Sequence, residues 1–191
     1  MTSVSADELL PALVERARRG DRAALEQLLA ELRPRIFRYV LARTLDSDAA
    51  DDVTQEVTVT VTQSLHRYVD QGRPFTAWVF GIAANKVSES RRAAGRRREA
   101  PSATLPDRRA DPAYDPEHVA VRLETSARMA ALLESLSAQQ AEVVRLRVAA
   151  GLSAEETAAV LGISAGAVRV AQHRALARLR VAAQERSEWP S

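Results

Sequence analysis

The chain has 191 residues, a formal net charge of +2 and an aromatic content of 4%, so its cores rest on Leu, Val, Ile and Ala and suit two small helical units better than one large domain. It holds no cysteine, which excludes a disulfide framework, a zinc ribbon and a thiol nucleophile. No apolar run approaches the roughly 18 residues of a membrane span, and Asp7 and Glu8 stand where a secretory leader would be basic, so the expected location is the cytoplasm.

Ser5 and Glu8 have capping-box spacing, and Leu9, Leu10, Leu13, Val14 and Ala17 recur at three and four residues, so a first helix is expected up to Arg18, Arg19 and Gly20. A second runs from about Asp21 through Leu25, Leu28, Leu29 and Leu32 to Val40, with Pro34 the place for a bend. Asp46 to Ala50 reads as a turn. From Ala49 to about Tyr68 the stripe Val53, Val57, Val61, Leu65 argues helix, although Thr58-Val59-Thr60-Val61-Thr62 would by propensity allow a strand. Asp51, Asp52 and Glu56 gather acidic charge on this helix; a catalytic pair would need a matching acid or base nearby, which leaves a solvated or partner-binding face.

Val69 to Pro74 is a loop, and Phe75 to Arg92 is again helical with Phe75, Trp78, Val79, Ile82, Ala83 and Val87 on one apolar face. Periodicity disappears between about Ala93 and Glu117, where Pro101, Pro106, Pro112 and Pro116 interrupt any helix and Asp107, Asp111, Asp115 and Glu117 are interspersed with Arg108 and Arg109. The expected division is therefore a domain over 1–95, a linker over 96–118 and a domain over 119–186, in an all-α fold of two small helical domains joined by a flexible linker. His66, His118 and His173 lie far apart with no metal-ligand spacing, and the seven glycines are scattered, so neither a metal, a cofactor nor an enzymatic site is expected.

The strongest signal lies near the C-terminus. Ser137 and Gln140 open one helix, which Gly151 closes; Ser153 and Glu156 open a short helix carrying Thr157, Ala158, Val160 and Leu161; Gly162 supplies a tight turn; and Ser164 caps a third helix from about Ala165 to Ala182. Helix, glycine-containing turn and helix make a helix-turn-helix, whose second helix presents Gly166, Arg169, Val170, Gln172, His173 and Arg174 to a major groove. Arg178 lies further along and is expected against the phosphate backbone.

These residues resemble the extracytoplasmic-function group of sigma-70 factors, which keep only two helical domains, regions 2 and 4. Asp51-Asp52-Val53-Thr54-Gln55-Glu56-Val57 is similar to the region 2.2 motif, and the resemblance implies that Asp51, Asp52, Gln55 and Glu56 bind core RNA polymerase. Phe75 to Val87, followed by Arg91-Arg92, is similar to regions 2.3 and 2.4, which melt and read the −10 element, implying DNA contacts from Asn85, Lys86, Arg91 and Arg92. Tyr68 and Arg73 fall where this family forms a pocket for a flipped base. Leu136 to Arg180 is similar to region 4, implying −35 contacts from Ser164, Gly166, Arg169, Val170, Gln172, His173, Arg174 and Arg178.

The resemblance further implies promoter DNA and an anti-sigma factor as partners, no small-molecule substrate, and an acidic linker that follows the RNA path through the polymerase. The self-inhibiting region 1.1 of larger factors is expected to be absent. Ala167, Val170 and Ala171 stand where many members carry hydroxyls and an arginine, so the −35 preference of other members does not transfer. The competing reading is a LuxR-type helix-turn-helix regulator, whose N-terminal half would be an α/β domain rather than helices.

Overall fold

The computed structural model describes residues 6–99 and 128–187, and all regular structure among them is helical. The expected Ser5–Glu8 capping box, residues 100–118 of the expected linker and residues 119–127 of the expected second domain lie outside the described residues. Helix α1 (Ala6–Arg18) buries Leu13, Val14 and Ala17. It is joined to α2 (Arg22–Thr44) by Asp21, which caps α2 by accepting from the Ala24 amide at 3.0 Å and takes the Arg16 guanidinium at 2.6 Å. Those amide and guanidinium bonds, the amide foremost, hold the Asp21 carboxyl below its usual range.

Helix α2 continues past Pro34 without ending, because Ala24, Leu28, Leu32, Ile36, Tyr39 and Val40 keep one stripe buried on both sides of it. The expected turn over Asp46 to Ala50 is shorter than the sequence suggested. Leu45 adopts the left-handed conformation, φ 57°, and Asp46 already caps α3 (Ser47–Ser64) by accepting from the Asp48 and Ala49 amides. An N-cap carboxylate satisfies donors that a helix start leaves free, so the helix begins two residues before the apolar pattern does.

The β-branched run in α3 is helical, as the four-residue stripe requires. Val53, Val57, Val61 and Leu65 are all buried, while Thr58, Thr60 and Thr62 turn their hydroxyls back to the carbonyls of Thr54, Glu56 and Thr58 at 2.8 Å. A 3-10 turn (Leu65–Arg67) and a loop lead to α4 (Phe75–Glu99). This helix runs seven residues beyond the expected end at Arg92, since Ala93, Ala94 and the arginines that follow favour helix even after the apolar stripe has stopped.

The C-terminal half comprises a helix with described residues 128–134 (α5), α6 (Ala138–Val144) continued by a π-helical turn (Arg145–Ala149), α7 (Ala154–Leu161) and α8 (Ala165–Ser187). Both expected capping boxes, Ser137 with Gln140 and Ser153 with Glu156, are closed by reciprocal side-chain to amide bonds. Gly162 takes φ 68° between α7 and α8, a conformation that costs an L side chain about 1 to 2 kcal/mol. No atom stands within 4 Å of where its Cβ would be. Gly162→Ala should therefore lower the thermal stability of the full chain by that backbone strain alone, with helix content measured by circular dichroism unchanged at 25 °C.

The two halves share a core. Leu146, Ala150 and Leu152, from the end of α6 and the loop after it, are buried in the same apolar cluster as Leu28, Ile36, Phe80 and Val87, with Val160 and Leu161 of α7 packed against it. Around this seam, polar groups pair in both directions. Arg35 and Arg38 of α2 donate to the Ala150 and Ala149 carbonyls at 3.2 and 2.8 Å. In return Arg145 donates to the Ala42 carbonyl at 3.1 Å. Glu142 accepts from the Tyr39 hydroxyl at 2.6 Å, from Arg43 at 3.0 Å and from Arg145 at 3.2 Å, and Arg35 pairs with Glu156 at 3.5 Å. Burial first, and the Glu142 charge second, push the Tyr39 phenol well above its usual range, so it remains the donor in that bond.

Candidate partner and nucleic-acid interfaces

The helical repeat places Asp51, Asp52, Gln55 and Glu56 together on the outer side of α3, and all four are exposed while Val53, Thr54 and Val57 between them are buried. Val59, one turn on, extends this face with an apolar group that is 46% exposed. The sequence reading drew this face from its polar and acidic residues and did not include Val59.

The loop before α4 and the first turns of that helix hold an aromatic cluster. Tyr68 meets Phe75 edge-on at 5.0 Å and lies 5.2 Å from Trp78, itself 5.4 Å from Phe75. Tyr68 and Trp78 are only partly buried, and with Arg67, Arg73 and Pro74 they line an open cavity of about 280 Å³. Burial of Tyr68, followed by the nearby Asp70 charge, pushes its phenol above the usual value. The Arg73 guanidinium also donates to the Ala159 carbonyl of α7.

On α4, Asn85, Arg91 and Arg92 are exposed and lie off the buried stripe Val79, Ala83, Val87. Lys86 is less free: its ammonium lies 3.2 Å from Glu89 and 3.5 Å from Glu56, and the hydrogen bond to Glu89 in particular raises its pKa. One carboxylate of the α3 face thus reaches one cation of the α4 face.

In α8, Gly166, Arg169, Val170, His173, Arg174 and Arg178 are exposed. Two other expected contact residues have work inside the domain. The Ser164 hydroxyl accepts from the Ala167 amide at 3.1 Å, closing the start of α8. The Gln172 side chain is half-buried and accepts from Arg147 at 2.9 Å. Arg169 pairs across the helix-turn-helix with Glu155 of α7 at 2.5 Å, both side chains more than half exposed. The Glu155 carboxyl is held below its usual range by its own backbone amide first and by Arg169 after that.

Among the described residues, no group of three or more His, Asp or Glu is gathered to hold a metal ion, and no helix is long and apolar enough to cross a membrane. His66 and His173 are exposed, and His118 lies outside the described residues. The pairings of the seam between the halves, made by Arg35, Arg38, Arg43, Arg145, Glu142 and the capping residue Glu156, escaped the sequence reading. Their partners lie about a hundred residues away, and no local spacing announces them.

Two family descriptions match the chain: Sigma-70 region 2 over residues 28–97 and Sigma-70, region 4 over residues 126–179. The ECF RNA polymerase sigma factor SigD of Mycobacterium tuberculosis is 51% identical, over 91% of this chain and 83% of that protein. The ECF RNA polymerase sigma factor ShbA of Streptomyces griseus is 46% identical, over 93% of this chain and 96% of that protein. Among solved structures, CnrH in complex with the cytosolic domain of CnrY superposes with a TM-score of 0.68 at 30% identity, covering 93% of this chain and 99% of that one. The sigma factor RpoE in complex with the anti-sigma factor NepR from Bartonella quintana follows at 0.56 and 25%, covering 81% and 93%.

Proposed function

The chain belongs to the extracytoplasmic-function sigma factors of the sigma-70 family, and on that premise we propose which of its surfaces carry out promoter-specific initiation. The outer face of α3, with Asp51, Asp52, Gln55 and Glu56, joins core RNA polymerase. The cavity beside Tyr68 and the exposed face of α4, with Arg73, Asn85, Lys86, Arg91 and Arg92, engage the separated strands of the −10 element. Helix α8 reads the −35 element through Gly166, Arg169, Val170, His173 and Arg174, with Arg178 on a phosphate; Ser164 and Gln172 serve that surface by holding α8 in place.

The observation that carries this reading is the helix-turn-helix itself: α7, a left-handed Gly162 and a capped α8 that exposes Arg169, His173, Arg174 and Arg178. The aromatic cavity before α4 supports the second contact, because an unstacked base finds there both a ring to stack on and an arginine at the rim. A LuxR-type regulator is disfavoured, since residues 28–97 are occupied by sigma region 2. One solved relative is a complex with an anti-sigma factor, and we extend that class of partner to this chain.

Run-off transcription with purified core polymerase tests the reading as a whole: a defined start site should appear only when this chain is added. The α3 assignment has its own test. Asp52→Arg with Glu56→Arg reverses two exposed charges and touches no buried group, so the melting temperature should change by little while core polymerase captured in a pull-down falls at least about tenfold, the scale on which like charges oppose association at an interface. Capture at wild-type level by the folded double variant would remove these residues from the interface.

A further inference from the structure

We propose that Val170, on the outer face of α8, reads the 5-methyl group of a thymine in the −35 element, an apolar contact standing where a hydrogen-bonding side chain would otherwise select the base. The inference rests on the −35 reading of α8 above and names the chemical group that this helix takes. Its first ground is what surrounds Val170. Residues three and four apart share one face of a helix, so Val170 lies with Gly166, Ala167, His173 and Arg174, all of them exposed. Val170 itself is 50% exposed and belongs to none of the apolar clusters among the described residues. A single exposed valine on a helix is ordinary. One in the first turns of a reading helix, in the middle of the face that meets the groove, is placed against bases.

The second ground is the polar chemistry that this part of the face lacks. Gly166, Ala167 and Val170 have no side chain able to donate or accept a hydrogen bond. The polar side chains around them are engaged: the Ser164 hydroxyl accepts from the Ala167 amide, Gln172 turns inward to Arg147, and Arg169 pairs with Glu155 on the side toward α7. The major-groove edges of the base pairs offer donors, acceptors and one apolar group, the C5-methyl of thymine. A valine is complementary to that group alone. Against cytosine it would leave a void where the methyl is missing and would face an amino group that it cannot pair.

The third ground is that the fold requires neither Gly166 nor Val170. At exposed helix positions both are poorer helix formers than alanine. A Cβ on Gly166 would meet only the Ser164 Oγ, at 3.9 Å, an ordinary contact, and its backbone is not among the positive-φ glycines. Without that Cβ the backbone of α8 can approach the DNA closely in the turn before Val170. The β-branch in turn gives Val170 one strongly preferred rotamer on a helix, so its methyl groups are fixed before DNA arrives.

Holoenzyme binding can test the contact at the level of a single methyl group. From a promoter library randomised across the −10 and −35 elements, the unaltered chain with core polymerase should enrich a thymine at one −35 position. Val170→Ala should lose that enrichment and keep the preferences at the other positions. Deoxyuridine in place of that thymine removes only the methyl and should weaken binding about fourfold, the scale for one buried methyl-sized group. Val170→Ala should weaken binding to the thymine promoter by a similar factor, and joining it to the deoxyuridine change should cost no more than either alone. Its melting temperature should not fall, because the side chain it shortens fills no core. Gly166→Ala should raise the melting temperature and yet weaken binding to the same promoter.

Deoxyuridine that leaves affinity unchanged at every −35 thymine overturns the proposal, and so does a Val170→Ala loss that simply adds to the deoxyuridine loss, which would mark the valine as a support of the helix and not a reader of the methyl. Undiminished binding by Gly166→Ala overturns it as well, since the contact needs the backbone close to the groove. The library distinguishes these failures from a deeper one. Enrichment at −35 positions without dependence on the methyl group sinks only the role given to Val170, whereas a library enriched at no −35 position sinks the reading of α8 on which that role rests.

Discussion

Phe80→Ala is expected to lower the unfolding free energy of the full chain by about 3 to 5 kcal/mol, enough to consume much of the stability of a small domain. Phe80 is fully buried and meets the equally buried Tyr39 edge-on, with ring centres 5.4 Å apart and planes at 86°. Truncation removes that contact and leaves a void between α2 and α4 that neither helix can collapse to fill. The sequence pattern placed Trp78, and not Phe80, on the apolar face of α4. Trp78 is only partly buried and lines the cavity beside Tyr68, so Trp78→Ala should destabilise by less than Phe80→Ala and should impair promoter opening in excess of its effect on folding.

Asn85→Ala is the matching control on the opposite face. Asn85 is exposed, so its loss should leave the melting temperature unchanged and reduce open-complex formation. Urea and thermal unfolding of the full chain, followed by strand-separation assays with the holoenzyme, measure all three. An Asn85→Ala chain that melts early yet opens promoters normally would mean that the faces of α4 are reversed.

Arg169→Ala is expected to cost about 1 to 3 kcal/mol at the preferred −35 element and to relax discrimination there, because a guanidinium near the start of a reading helix is placed to bond a base edge. The ion pair with Glu155 is consistent with this expectation. An exposed pair of this kind contributes little to stability, so Arg169 can leave Glu155 for a base edge at small cost. Arg178→Ala, two turns further along, should weaken binding to all sequences about equally and reduce the salt dependence by about one counterion. Holoenzyme binding to single-base promoter variants at several salt concentrations separates the two effects. If Arg169→Ala leaves the ranking of variants intact, His173 and Arg174 become the next candidates, ahead of Gln172, which is engaged with Arg147.

What the sequence determined by itself was whatever is written at short range. The helix-turn-helix was legible because Ser153 and Glu156, Gly162 and Ser164 each act on backbone groups within three or four residues, and capping and left-handed turns are set by that local chemistry. The outward face of α3 was legible for the same reason, since the phase of Val53, Val57 and Val61 places Asp52 and Glu56 opposite the core despite the β-branched run. Where local signals were weak the reading slipped: the start of α3 moved to the Asp46 cap, and the end of α4 moved past Arg92 to Glu99. Only the tertiary structure decided which aromatic of α4 is the anchor, that Gln172 turns inward to Arg147, and that the two halves meet. Those outcomes depend on pairs such as Tyr39 with Glu142 and Arg145 with the Ala42 carbonyl, about a hundred residues apart. An arginine on a helix surface has the same sequence signature whether it faces water or another helix's last carbonyls, and the difference appears only once the chain has folded back on itself.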